Sequence, residues 1–312
     1  MEYKHISVLF NECIEGLNLK QGQKIVDCTL GGAGHSKAIL DNISPKGKLI
    51  AFDLDPASIK NAKKILADYK EQKDYILIND NFVNLKENLE NIKIKEVDGV
   101  LMDLGLSSYE LDDETRGFSF KGNNPLDMSF SGKEKFNAEY IVNNYSIEEL
   151  IKIFRDYGEE EKAYYIAKKI IEERKIKQIK TTDDLVRVIL KAKKRTSKDK
   201  IHPATKVFQS LRIEVNHELE NLENVLPDAI NSLKSGGRLA IITFHSLEDR
   251  IVKNFFKKES TDCLCDPDIP ICICNHKKKI KLVNKKPIIP SDEEIKDNPR
   301  SRSSKLRIIE KI

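Results

Sequence analysis

Long apolar runs are missing from this chain. No stretch approaches the roughly 18 apolar residues of a transmembrane helix, which excludes a span of that kind. The first 17 residues break their hydrophobics with acids, so a secretory leader is not expected and a cytoplasmic location is. Cysteine is scarce, at six in 312 residues, and in a reducing compartment a disulfide framework is not expected. Charge of one sign is not in large excess either. Lysine and arginine number 54 against 50 acids, a net +4, so the distribution of charge matters more than its sum. No internal repeat is evident.

What is present is patterned. Hydrophobic residues make up 39% and charged residues 33%, yet the apolar positions cluster, so a folded core is expected. The length suits one large domain, or a core carrying an inserted one. Residues 24–29, 48–55, 74–80 and 97–105 read as strands. The stretches 36–43, 57–66 and 84–91 read as the helices between them, with Pro56 at a first helical position where its missing N–H costs nothing. Strands alternating with helices imply βαβ units and a mostly parallel sheet, an α/β fold.

From residue 112 to about 201 no strand pattern appears. Three or four helical periods follow one another, the last with an N-cap signal at Thr181–Asp184. The expected organisation is a core in two parts, 1–111 and 202–312, around a helical insertion at 112–201. After it, 203–233 reads as a long helical stretch interrupted at Pro227, 236–244 as a strand, 246–258 as a helix capped by Ser246, and 305–311 as a final, sheet-edge strand.

The turn after the first strand reads Asp27-x-Thr29-x-Gly31-Gly32-Ala33-Gly34-His35. Glycines let a backbone approach a ligand closely, and the following helix offers free N–H groups. After Gly32 and Gly34, the third glycine of a dinucleotide fingerprint would fall at Lys37, which disfavours a nicotinamide oxidoreductase. Asp53, 22 residues beyond Gly31 at the end of the second strand, suits both hydroxyls of a ribose. Asp103 ends the fourth strand. Ligands of open parallel sheets bind at the strand carboxyl ends, so Asp27, Asp53 and Asp103 are expected around one crevice.

With these residues in place, the chain resembles the MraW family of bacterial ribosomal RNA small-subunit methyltransferases H. The resemblance rests on VDCTLGGAGHS (26–36), MDLGLSSYELDDETRGFSF (102–120), PLDMSF (125–130), HPATKVFQSLRIEVNHEL (202–219), FHSLEDRIVK (244–253) and NPRSRSSKLR (298–307), and it runs from His5 to Arg307. It implies a class I S-adenosylmethionine-dependent methyltransferase core, Rossmann-like, with an inserted α-helical subdomain. The implied activity is methylation of the exocyclic N4 of a cytidine in the decoding region of 16S rRNA, in the P site, cytidine 1402. By position it also implies cofactor contacts at Ala33, Gly34, His35, Asp53, Phe82 and Asp103. Where the family usually has glutamine this chain has Glu110, which keeps an acceptor and loses the amide donor. A non-catalytic RNA-binding module on the same fold is disfavoured by intact Gly34, Asp53 and Asp103.

The amine of cytosine is a poor nucleophile because its lone pair conjugates with the ring. An acceptor for its N–H would help, and Asp103 or the backbone carbonyls after it could serve. His245, closing the strand 236–244, could contact the cytosine or accept a proton; the alternative is a histidine bonded to its loop. His202 is read the second way. Phe118 and Phe120 could stack on a flipped base, or pack the insertion. Methylation at cytosine C5 would need a nucleophilic cysteine near the substrate. None lies in the turn after the fourth strand, and Cys28, like Cys13, reads as packing.

Three segments are basic. Residues 191–200 hold six basic residues and one acid, 276–286 six lysines and no acid, and 298–307 four basic residues and no acid. Such runs neutralise phosphates. The implied partner is 16S rRNA within the small ribosomal subunit or its assembly intermediate; no membrane is expected, and a homodimer is compatible. Cys263, Cys265, Cys272 and Cys274 form a Cys-x-Cys-x6-Cys-x-Cys pattern that reads either as a tetrahedral zinc site or as reduced loop thiols.

Overall fold

The computed structural model describes residues 7–106, 113, 115–120, 122–132, 135–196, 201–266 and 271–312. The chain divides into two compact units. One runs to Gly105 and resumes at Leu219; the other is Leu106–Glu218.

The first unit is a seven-stranded sheet built from β1 (Lys24–Asp27), β2 (Lys48–Phe52), β3 (Tyr75–Ile78), β4 (Val97–Asp103), β5 (Leu233–Thr243), β6 (Ile280–Leu282) and β7 (Lys305–Lys311). Its order is β3-β2-β1-β4-β5-β7-β6. β1 to β5 pair in parallel, and β7 runs antiparallel to both neighbours. Helices α1 (Phe10–Leu17), α2 (Gly34–Ile43), α3 (Pro56–Ile65) and α4 (Leu85–Asn91) belong to this unit. Strands buried on both faces should be apolar through their middles, and β1, β4 and β5 are so at 25–26, 100–102 and 239–242. Val26, Val100, Met102, Leu239 and Ile241 enter one core, whereas Ile25, Leu101, Ala240 and Ile242 enter the other with Leu9, Cys13, Leu17, Ile39, Leu40 and Ile43. This alternation is the period-two pleat of a strand.

The second unit is helical. It holds α5 (Ala138–Asn144), α6 (Ile147–Asp156), α7 (Ala163–Arg174), α8 (Thr182–Ala192) and α9 (Thr205–Asn216). Their starts are chemically marked. Asn137 caps α5, Ser146 and Glu149 form a reciprocal box on α6, and Thr181 accepts the Asp184 N–H on α8.

Several sequence expectations move. The boundaries expected at 111 and 201 fall at 105 and 218, because Val207, Phe208, Leu211 and Val215 of α9 pack into the helical core. The break in 203–233 is at His217, whose φ of 50° ends α9, and not at Pro227, which lies inside α10 (Glu218–Ser232). β7 is not the sheet edge. Residues 280–282, given no element by the sequence pattern, form β6 outside it. β5 starts at Leu233, three residues before the expected turn, and its pairing with β4 shifts register between Leu233 and Arg238, where Gly236 has φ 80°.

Candidate active site

The site forms where β1, β2 and β4 end. Asp27 is the last residue of β1, aligned with Ala51 and Leu101 on its neighbours, and Asp103 closes β4. The turn after β1 is tightly specified. Gly31 has φ 46° and Ala33 φ 60°, the left-handed region that glycine enters freely and that costs alanine about 1 kcal/mol. Ala33 is the N-cap of α2, and no side chain caps that helix. Its first-turn N–H groups are thus left to another acceptor.

Asp53 holds this turn. Its Oδ2 accepts the Gly31 N–H at 2.8 Å and its Oδ1 accepts the Asp55 N–H at 2.8 Å. Asn79, which sequence reasoning passed over, donates to the Asp53 carbonyl at 2.8 Å. Phe82 opens a short 3-10 turn (Phe82–Asn84) and is half-buried. Just before it, Asp80 accepts from the side chains of Asn84 and Asn88.

Asp27, buried, and Asp103, half-buried, form the acidic floor. Asp27 accepts the Ser36 hydroxyl at 2.6 Å and the Thr29 N–H at 3.1 Å. Burial pushes its carboxyl up, and these two bonds hold it partly back. Burial likewise raises Asp103, with the nearby Asp27 charge adding to it and the Gly105 N–H opposing, to about 7. The Asp103 N–H donates to the Thr29 hydroxyl at 2.7 Å, tying β4 to the glycine turn. Its Oδ2 lies 3.7 Å from His35 Nε2, while its Oδ1 is buried with no hydrogen-bond partner among the described residues. The His35 ring stacks on Phe10 at 5.7 Å. Thr29 stood in the glycine-turn motif without a role, and Ser36 and Phe10 were not singled out from sequence; a serine in the first helical turn was the available signal.

Gly105 follows the acid. A Cβ there would meet the Phe244 ring at 2.5 Å, so the chain turns here only without a side chain. His245 is the N-cap of α11 (Ser246–Glu259), correcting the assignment of that cap to Ser246. Its Nδ1 accepts the Glu248 N–H at 3.4 Å and its Nε2 lies 3.1 Å from Glu248 Oε1. Nδ1 thus serves the helix start, whereas Nε2 is buried with no hydrogen-bond partner among the described residues. Glu110 lies outside the described residues.

In the helical unit, Phe118 is buried and stacks on Phe130 at 5.6 Å, and Phe120 stacks on His202 at 4.9 Å and meets Phe208 edge-on. Both phenylalanines are packing residues of that core. His202 Nδ1 accepts the Ala204 N–H, and burial, with Arg195, lowers its pKa. The basic runs are partly spent on structure. Lys193 pairs with buried Glu160 at 2.8 Å, and Lys305 and Arg307 hold Asp249 at 3.1 and 2.7 Å. Lys277, Lys285 and Lys286 are exposed.

A parallel sheet switching direction between β1 and β4, one reversed strand beside β5, a glycine turn and an acid after β2 together define a class I S-adenosylmethionine-dependent methyltransferase fold. The profile of the MraW methylase family matches residues 2–312. The chain belongs to that family and is a methyltransferase. It is similar to the ribosomal RNA small subunit methyltransferases H of Clostridioides difficile strain 630 (50% identity), Clostridium botulinum strain Loch Maree (50%) and Finegoldia magna (48%), each match covering 100% of both chains. Among the described residues no helix is long and apolar enough to cross a membrane.

Proposed function

We propose that this chain methylates the exocyclic N4 of a cytidine in the decoding region of 16S rRNA, cytidine 1402, with S-adenosylmethionine as donor. The name carried by the relatives supports an rRNA substrate. The observation that carries the donor assignment is the acidic floor: an Asp103 oxygen with no hydrogen-bond partner among the described residues, beside the buried acid Asp27, fits a group that brings positive charge. When bound, S-adenosylmethionine supplies a methyl group on a cationic sulfur, ready for in-line displacement.

The residues divide the work. The uncapped first turn of α2, at Gly34 and His35 beside Ala33, offers N–H groups to a carboxylate. Asp53, the acid after β2, accepts from the ribose hydroxyls. Phe82 offers an aromatic edge after β3. Asp103 holds negative charge toward the cationic end and accepts a hydrogen bond from the reacting amine. A carboxyl near 7 is well matched to exchanging a proton at neutral pH.

C5 chemistry fits poorly. Cys13 and Cys28 are buried, and burial drives both thiols well above their ordinary pKa, so neither is a thiolate nucleophile. The physiological substrate in this reading is a partly assembled small subunit, because the basic segments span more of the chain than one flipped base requires.

The test is methyl transfer to small-subunit particles, and to naked stem-loop RNA, from cells lacking the gene, at matched salt. N4-methylcytidine by mass spectrometry, formed preferentially on the particle, is expected. A 5-methylcytidine product would overturn the N4 assignment, and equal rates on a short stem-loop would overturn the particle.

A further inference from the structure

The geometry points to a structural zinc site at Cys263, Cys265, Cys272 and Cys274, apart from the strand-end acids. One ligand atom from each cysteine lies within 4.8 Å of all the others. The Sγ atoms of Cys263 and Cys272 are 3.4 Å apart, Cys272 and Cys274 3.6 Å, Cys263 and Cys274 3.9 Å, and Cys265 and Cys272 4.0 Å. A tetrahedron of sulfurs about 2.3 Å from a zinc ion has edges of about 3.8 Å. These separations bracket that value, and the four atoms converge on one point rather than forming a single close pair.

The surrounding backbone is set for thiolates. The N–H groups of Leu264, Cys265, Ile273 and His276 all donate to these sulfurs, at 3.3 to 3.5 Å. Residues two apart on an extended backbone face the same side, which is how each Cys-x-Cys pair offers two ligands together.

Other ties on the described residues of the segment are few and lie near its base: His276 Nε2 is 3.0 Å from the Lys258 carbonyl and Lys278 Nζ 3.3 Å from Asp262. The segment leaves α11 and returns to β6, its base closed by the Lys279 N–H on the Glu259 carbonyl at 2.8 Å. Between those points Leu264, Ile271 and Ile273 are 44%, 75% and 72% exposed, so among the described residues no apolar core forms. A short loop without a core is where a metal staple contributes folding energy outright. Zinc entry exchanges four thiol protons for the ion: one Zn2+ and four Cys–SH give a tetrathiolate complex of charge −2 and four released protons. Lys277, Lys278 and Lys279 follow immediately and offset that charge. With all four positions filled by protein sulfur, the ion shapes the loop and is not a catalyst.

The experiment is elemental analysis of the full chain, expressed with zinc, purified without a histidine tag under thiol reductant and freed of loose metal by gel filtration. One zinc per chain is expected, with X-ray absorption showing four sulfur neighbours. Cys272→Ser should lower zinc at least tenfold and open the 260–279 segment to trypsin while the sheet unfolds cooperatively as before. Should that variant fail to fold, the wild-type zinc content stands as the measurement. Less than a tenth of a zinc with four reactive thiols, a chain lighter by four hydrogens from two disulfides, or stoichiometric iron would each overturn the assignment.

Discussion

The two units treat a buried acid differently. In the helical unit, Glu160 is buried, and Lys193 meets both its oxygens at 2.8 and 3.0 Å. In the sheet unit, Asp27 and Asp103 lie side by side at the strand ends, and among the described residues no lysine or arginine pairs with either. Leaving two acids so is expensive, since each loses its hydration. Elsewhere in the same unit the cost is avoided. Burial raises the Asp249 carboxyl, but hydrogen bonds from Arg307 and Lys305 bring it below its ordinary value. A fold able to neutralise Asp249 and Glu160 leaves the strand-end acids open, and the difference separates a structural charge from one kept for a ligand.

The sharpest way to break this contrast is Asp103→Asn, which keeps the shape and removes the charge. Turnover in single-turnover kinetics should fall by ~10²-fold or more, with RNA binding much less affected. Stability should move the other way. Asp103 titrates near 7 in the folded chain and near 4 when unfolded, so its ionisation opposes folding increasingly from about pH 4 to 7. The variant's advantage in chemical denaturation should therefore be nil at pH 4 and reach a few kcal/mol, to order of magnitude, at pH 8. Wild-type turnover in the variant would make Asp103 structural.

The same titration sharpens the ligand. Above pH 7 the ionised carboxylate attracts a cationic sulfur, so the preference for S-adenosylmethionine over S-adenosylhomocysteine should rise between pH 6 and 8. It should be flat in Asp103→Asn, and calorimetry at three pH values reads it. A flat preference in the wild type would place the sulfur away from Asp103.

Asp53→Ala should weaken S-adenosylmethionine binding by about 2–4 kcal/mol, the value of two charge-assisted hydrogen bonds. It also releases the Gly31 and Asp55 N–H groups, so calorimetry must be read beside a melting curve. Unchanged affinity in a folded variant would put the ribose elsewhere. His245→Ala, the smallest effect, should cost about 1 kcal/mol of stability, as lost caps do. Turnover should stay within a few-fold, and Asn at the position should restore stability. A large loss of turnover that Asn does not rescue would return His245 to catalysis.

What was legible in the sequence follows the same division. The strands β1 to β4 and the helices between them were readable because continuous apolar runs and period-3.6 stripes are local signals. The acids at 53 and 103 were readable because the topology of a parallel sheet assigns strand ends to ligands. The edge was not. β6 is three residues long, with two of them exposed, and only its pairing with β7 makes it a strand. The boundary at 218 was missed because α9 and α10 are each good helices, and a left-handed His217 carries no strong sequence mark. Part of the basic run at 298–307 is bound within the chain, and sequence does not show that Asp249 takes both Lys305 and Arg307.

The register that pairs Val97 with Leu233 spans the whole helical unit. On a chain emerging at about 5–20 residues per second, the segment 106–218 takes roughly ten seconds to appear. The helical unit is continuous and rich in local contacts, so it can fold during that interval. β4 meanwhile waits with its outer backbone groups unpaired, a template for another strand. Nascent chains arrested once residue 218 has cleared the ribosome, with β5 still sheltered, should therefore show 106–218 protected from protease and 97–105 cleavable, with protection of β4 only after β5 has emerged. The interruption that divides the sheet in sequence thus also sets a vulnerable interval in its synthesis.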